Sequence, residues 1–215
     1  MLPYHDMSQN NEILKERVLT ILAELKKLFP NPKPALNFSN PWECMVAVIL
    51  SAQCTDKMVN IVTEKLFKKY TKLEDYVNAK PEEFEQDIKS TGFYKNKTKN
   101  ILASARLLLY TYGGVIPNSM EEILKFHGVA RKTGNIVLHY TYGLITGIAV
   151  DTHVRRLSKL LGLTKNDDPE KIEQDLMKLL PKEEWMKFSF LLVLYGRIYC
   201  SAKKHDHEHC PLSHI

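Results

Sequence analysis

The sequence lacks the marks of several protein classes. Only 9 glycines and 10 prolines occur among 215 residues, so collagen-like and low-complexity chains are excluded. Hydrophobic residues make up 44%, too many for a wholly disordered chain. Four cysteines, at positions 44, 54, 200 and 210, are too few and too scattered for a disulfide scaffold. No apolar run approaches the roughly 20 residues that a membrane span needs. The opening Met1-Leu-Pro-Tyr-His-Asp6 has no basic stretch followed by an apolar one, so no secretory signal is read. A soluble intracellular protein with no membrane partner is expected.

Alternation of strand and helix is also missing, and what remains reads as helix after helix. Leu14, Val18, Ile21, Leu22, Leu25 and Leu28 follow the helical period from Asn11 to Phe29, and Pro30-Asn-Pro-Lys-Pro34 stops them. Ser39-Asn40-Pro41 supplies a cap and a first-turn proline for an apolar helix to about Ala52. Further helices are expected from Thr55-Asp56 to Tyr70, from Pro81 to before Gly92, and from Asn96 to Tyr112. Ser119-Met-Glu-Glu122 has capping-box spacing for a helix that Gly128 interrupts and Arg131 to Tyr142 resumes. Asp151 stands at an N-cap position, Asp168-Pro169 opens another helix, and Lys182 to Tyr199 forms the last. Leu144 to Val150 is compatible with an extended run, but one short run makes no sheet. The fold class is all-α.

The charge balance, 30 Lys+Arg against 25 Asp+Glu, gives +5 and permits an anionic partner without proving one. Two stretches carry more information: Phe126-His-Gly-Val-Ala-Arg-Lys-Thr-Gly-Asn135 and Ile148-Ala-Val-Asp-Thr-His-Val-Arg-Arg156. In the first, a helix halts at a glycine turn and another begins at Arg131-Lys132. Unpaired amides at such a helix start, with the positive end of the dipole, suit a phosphate. The plainer reading is an αα-hairpin whose glycine only ends a helix. Lys132 sits in a first turn, where the dipole disfavours its cation and so favours the free amine, a nucleophile toward a sugar carbon. A solvated surface lysine is the ordinary alternative. Asp151 reads as a plain N-cap or as a fixed carboxylate that stabilises positive charge.

Together with Leu50-Ser-Ala-Gln-Cys-Thr-Asp56 and Thr91-Gly-Phe-Tyr-Lys-Asn-Lys97, these stretches resemble, in order and interval, four motifs of the endonuclease III family of helix-hairpin-helix DNA glycosylases. The resemblance runs from about Leu14 to Cys200. It implies that Lys132 attacks C1′ of the damaged nucleotide and that Asp151 is needed for base loss. It makes Gln53 the plug that fills the gap of a flipped-out nucleotide and Phe93 an apolar wedge. Gly128, Val129, Ala130 and Arg131 become the phosphate-binding hairpin, and His153 and Arg156 residues beside the DNA backbone. It also implies a six-helix lobe over residues 34–144, a second lobe from 1–33 and 145–215, and an active-site cleft between them. A base inside a duplex is out of reach of a nucleophile, so extrusion with a wedge and a plug suits the chemistry. Lys95, Lys97 and Lys99, with Arg131, Arg155-Arg156 and Lys203-Lys204, are candidates for a phosphate-tracking surface.

Three departures from the family pattern stand out. His127 and Ala130 replace a proline and a glycine of the usual hairpin, so an altered turn is expected if position 130 needs positive φ. Gly134 is unusual early in a helix and would let another backbone pack closely. The family's C-terminal C-x6-C-x2-C-x5-C motif holds a [4Fe–4S] cluster. Here Cys200 matches the first cysteine, Cys210 is read as the second, Ser213 falls at the third, and no fourth is found. No cofactor and no metal are expected, the two cysteines being remnants. His205, His207, His209 and His214 crowd the same tail at spacings that match no common zinc site, so a solvated tail is expected.

The resulting expectation is a bifunctional glycosylase and AP lyase acting as a monomer, in cytoplasm or nucleoid, on double-stranded DNA with damaged bases or abasic sites. It would excise oxidised pyrimidines and nick the strand by β-elimination. A monofunctional mismatch glycosylase is the rival enzyme, disfavoured by Lys132. A non-catalytic hairpin-type DNA-binding module is the rival of another class, disfavoured by the presence of both Lys132 and Asp151.

Overall fold

The computed structural model describes residues 5–32 and 35–215, with side chains from residue 11 onward. Lys33 and Pro34, the end of the proline-rich stop and the lobe boundary read there, lie outside the described residues. Among the described residues there is no strand, so 144–150 is a connector. Eleven α-helices are described: α1 (His5–Leu28), α2 (Pro41–Ser51), α3 (Asp56–Lys69), α4 (Leu73–Val77), α5 (Pro81–Ile88), α6 (Tyr94–Tyr112), α7 (Met120–Ile123), α8 (Arg131–Tyr142), α9 (Thr152–Leu160), α10 (Pro169–Leu179) and α11 (Trp185–Ile198). None is long and apolar enough to cross a membrane.

The chain forms two compact units, Lys33–Thr146 and Met1–Pro32 with Gly147–Ile215. In the first, α2 is apolar on nearly every face, from Trp42 to Leu50, because α3, α6 and α8 cover it. Asn40 caps it, its Oδ1 accepting from the Glu43 amide at 2.9 Å, and Pro41 takes the first position, where no N–H is needed. An aromatic cluster closes the other end of this core. The Tyr76 ring lies 5.3 Å from Trp42, 5.2 Å from Tyr70 and 5.9 Å from Phe84. Tyr76 belongs to α4, a helix without a Ser, Thr, Asn or Asp cap. Instead, the Asp75 carboxylate reaches back to the amides of Thr71 and Lys72 at 2.8 and 2.9 Å. Helix α7 is shorter than its capping box suggests. It stops at Ile123, and a series of turns, not a helix, leads to Gly128.

The second unit joins the two ends of the sequence. Val18, Ile21 and Leu25 of α1 share a core with Val154 and Leu157 of α9, Ile172 and Leu176 of α10, and Phe188, Leu191 and Leu192 of α11. Helices α9 and α11 approach closely at Gly196, where an added Cβ would stand 2.7 Å from Nδ1 of His153 and 3.0 Å from Leu157. The tail past Cys200 is not a solvated extension. Cys200, Cys210 and Leu212 are buried in this same core, and the Leu212 amide donates to the Tyr195 hydroxyl at 3.2 Å.

Phe84 is fully buried between Tyr70 and Tyr76. Phe84→Ala should destabilise the protein by about 3–5 kcal/mol, the usual range for deleting a buried ring. A denaturant titration checks this, and a shift under 1 kcal/mol, well below that range, would mean that the ring is not where the core is closed.

Candidate active site

The hairpin between α7 and α8 is fixed from below by α6. Phe126, His127, Gly128 and Val129 make a turn closed by the Val129 amide on the Phe126 carbonyl, 3.2 Å. Gly128 has φ +77°, and a Cβ there would stand 2.8 Å from Nδ2 of Asn100. Glycine is thus required twice, by the backbone and by the neighbour. The Ser104 hydroxyl holds the His127 carbonyl at 3.1 Å, and Val129 is buried. Ala130, by contrast, is extended, with φ −96° and ψ 174°. The strain expected of an alanine at this position does not arise, because positive φ is not needed. Gly134 serves helix packing: a Cβ would meet Met120 Sδ at 2.8 Å and Ile123 Cγ2 at 3.0 Å, side chains of α7, not another backbone.

Arg131 and Lys132 are the first two residues of α8, both partly exposed. Ala130 offers no side-chain cap, so the positive end of α8 keeps its affinity for an anion. Further along α8, buried Asn135 accepts from Thr146 Oγ1 at 2.7 Å, which anchors the segment after the helix.

A second feature of this unit brings Gln53, Phe93 and Gly128 to one recess of about 180 Å³, lined also by Ile49, Asn96 and Asn100. Gln53 (φ +53°) and Phe93 (φ +48°) are the non-glycine residues of positive φ among those described. Such strained backbone persists only when the surroundings enforce it, and it concentrates at functional sites. Both side chains are exposed, Phe93 by 63%, so an apolar ring is offered to solvent instead of the core.

Lys97 is hydrogen-bonded to the chain just before both positions. Its ammonium is buried and donates to the carbonyls of Leu50 and Thr91, each at 2.8 Å. These carbonyls precede Gln53 and Phe93 by three and two residues. Burial pulls the Lys97 pKa below the ordinary lysine value. Lys97 is therefore not part of a phosphate-tracking surface, whereas Lys95 and Lys99 are exposed. By sequence, all three lysines of this run are alike, as candidates for a phosphate-tracking surface. Only the placement of Lys97 on the buried face of α6, with Ile101 and Ala105, could have separated it.

Asp151 and its neighbours lie on the other unit. Asp151 caps α9, its Oδ1 accepting from the amides of His153 and Val154 at 2.8 and 2.9 Å. One carboxylate oxygen is thereby held while the residue stays partly exposed. His153 is packed against Gly196. Arg156 points its guanidinium at Cys200, with Nη1 3.6 Å from Sγ and Nη2 donating to the Cys200 carbonyl.

The tail gathers donors that the sequence spacing left apart. Ligand atoms of Cys200, His205, His207 and Cys210 all lie within 4.8 Å of one another. Counted from Cys200, the family spacing puts His207 at the second position and Cys210 at the third, a register different from that read above. Two thiols and two imidazoles do not suit a [4Fe–4S] cluster, which takes four thiolates, one at each iron corner. Such a group could hold a metal ion.

A model described as HhH-GPD superfamily base excision DNA repair protein matches residues 46–182, which takes in every helix from most of α2 to α10. That match defines the class. The endonuclease III of Synechocystis sp. is 46% identical over 94% of this chain and 92% of its own length. That of Bacillus subtilis is 44% identical over 89% and 87%. A solved structure of a trapped endonuclease III–DNA covalent intermediate, an estranged-adenine complex, matches with TM-score 0.89 and 42% identity over 94% of each chain. The chain belongs to the endonuclease III family of this superfamily.

Two substitutions test the local geometry. Gly128→Ala should cost more than about 1 kcal/mol, since alanine is placed at positive φ, and should weaken duplex binding in a filter or fluorescence titration. Lys97→Met removes two charge-assisted hydrogen bonds and should destabilise by about 1.5–3 kcal/mol for each lost bond at most. It should also loosen the Gln53 and Phe93 loops, read as faster amide exchange there. Unchanged exchange in both loops would show that Lys97 does not hold them.

Proposed function

We propose that this protein is a DNA glycosylase and AP lyase that removes oxidised pyrimidines from double-stranded DNA and nicks the strand at the abasic site. The observation that carries the reading is the close match to an endonuclease III trapped covalently on DNA, together with an amine, Lys132, in the first turn after the hairpin.

The hairpin amides and the start of α8 hold a phosphate and so set register, not sequence. Phe93 enters the stack and Gln53 takes the place of the extruded nucleotide, which offsets lost stacking and pairing. Their strained backbones, tied to Lys97, arrive already ordered, so little entropy is lost when DNA is engaged. The C1′–N bond then breaks through a state with positive charge on the sugar, which the Asp151 carboxylate stabilises. Because one of its oxygens is held by amides, the carboxylate keeps its aim during the reaction.

Lys132 bonds C1′ through its nitrogen lone pair, and the base leaves with a proton. Opening of the sugar gives an iminium. Loss of a C2′ proton then expels the 3′ phosphate oxygen, and water returns the amine. A hairpin that only binds DNA requires neither Lys132 nor Asp151.

Borohydride added during turnover of an oxidised-pyrimidine duplex should reduce the iminium and leave a protein–DNA adduct visible on a denaturing gel. Lys132→Ala should give none, and an adduct on that variant would remove Lys132 from the role. Asp151→Asn should slow base release by about 10²–10⁴-fold, the span typical of a positioned acid–base group. Nicking of a preformed abasic site should suffer much less. Base release without nicking by the unaltered protein would favour a monofunctional enzyme.

A further inference from the structure

We propose that Cys200, His205, His207 and Cys210 bind a single zinc ion, a structural site that closes the C-terminal tail onto its core.

The distances carry the case. Cys200 Sγ lies 3.5 Å from His207 Nδ1, His205 Nε2 lies 3.3 Å from Cys210 Sγ, and Cys210 Sγ lies 4.0 Å from His207 Nδ1. With Zn–S about 2.3 Å and Zn–N about 2.0 Å, ligand atoms of a tetrahedron stand roughly 3.3–3.8 Å apart. Two of the three separations fall in that range, the third exceeds it by a few tenths of an ångström, and all four ligand atoms lie within 4.8 Å of one another. A cluster would need its donors spread over several irons, and a two-iron centre with two cysteines and two histidines would divide them between two metals. Two thiolates with two imidazoles in one tetrahedron is a zinc donor set.

Surrounding residues support the donors. Arg156 aims one guanidinium nitrogen at Cys200 Sγ and another at the Cys200 carbonyl, which steadies a thiolate by charge and fixes its loop. The two sulfurs are buried, Cys200 to 1% and Cys210 to 7% exposure. The rings of His205 and His207 lie 4.3 Å apart, turned so that different nitrogens, Nε2 and Nδ1, face the sulfurs. With all four positions filled by protein, no place is left for substrate water, so the ion braces the fold and does not catalyse. Its effect is to tie Tyr199 and Cys200, at the end of α11, to the segment ending in buried Leu212.

Elemental analysis of protein purified without chelator provides the test. One zinc per chain, little iron and a colourless solution are expected. Cobalt exchanged into the site should give the intense visible bands of a tetrahedral ion together with thiolate charge transfer. Cys210→Ser and His207→Ala should each lose the ion. His209→Ala should retain it, because His209 instead meets Asp206 at 2.9 Å outside the donor set. Arg156→Ala should weaken binding by about 10–100-fold, as for other residues that orient a ligand. Brown protein containing iron and sulfide would overturn the proposal. So would weak octahedral cobalt bands, absence of any bound ion, or equal loss of metal from His209→Ala. Should Cys210→Ser fail to fold, the cobalt spectrum of the unaltered protein decides alone.

Discussion

One buried ammonium links the two turns of the first unit in which Gln53 and Phe93 take up positive φ. Lys97 bridges the carbonyls of Leu50 and Thr91, and so joins the end of α2 to the turn before α6. Each loop alone would relax, because a non-glycine residue at positive φ is unfavourable by about 1–3 kcal/mol. Neutral side chains would give weaker bonds, and carbonyls left without partners would be costly in a dry interior. The charge therefore converts two separate loops into one rigid element that presents Gln53 and Phe93 together. Asn100, from the same helix, carries this order to the hairpin by filling the space that Gly128 leaves.

Much of this was legible in the sequence, for identifiable reasons. Strong punctuation fixes Arg131 to Tyr142 at both ends, by a turn and Gly143, and the start of α10 at Pro169 after Asp168, whereas its end at Leu179 carries no such signal. Helix α4 was missed because its cap comes from Asp75 inside the helix, reaching backward, and no preceding residue announces it. Helix α7 was overextended because a capping box fixes where a helix starts and not how long it runs. Four motifs in order pointed to the family, which single residues could not have done.

Side-chain direction was less accessible. Lys97 and its neighbours Lys95 and Lys99 look alike in composition, yet only the middle one faces the core. The resemblance places Arg156 beside the DNA backbone, and nothing in the spacing announces that its guanidinium is directed at Cys200. The tail was read as solvated because its histidine spacing matched no familiar pattern. Spacing alone does not capture a chain that folds back and brings His205 beside Cys210. Such reversals depend on φ and ψ at a few loop residues, for which periodicity offers no signal.

The unit built from both ends of the sequence has a bearing on synthesis. Residues 33–146 are contiguous and have their own core, so the partners of that core are all synthesised while α1, made earlier, still lacks its own. Those partners, α9 to α11 and the tail, emerge more than a hundred residues later. An amphipathic segment waiting through that interval exposes Val18, Ile21 and Leu25 to any passing apolar surface. Its other face carries Lys15, Glu16, Glu24 and Lys27, and such charges oppose association through the apolar stripe.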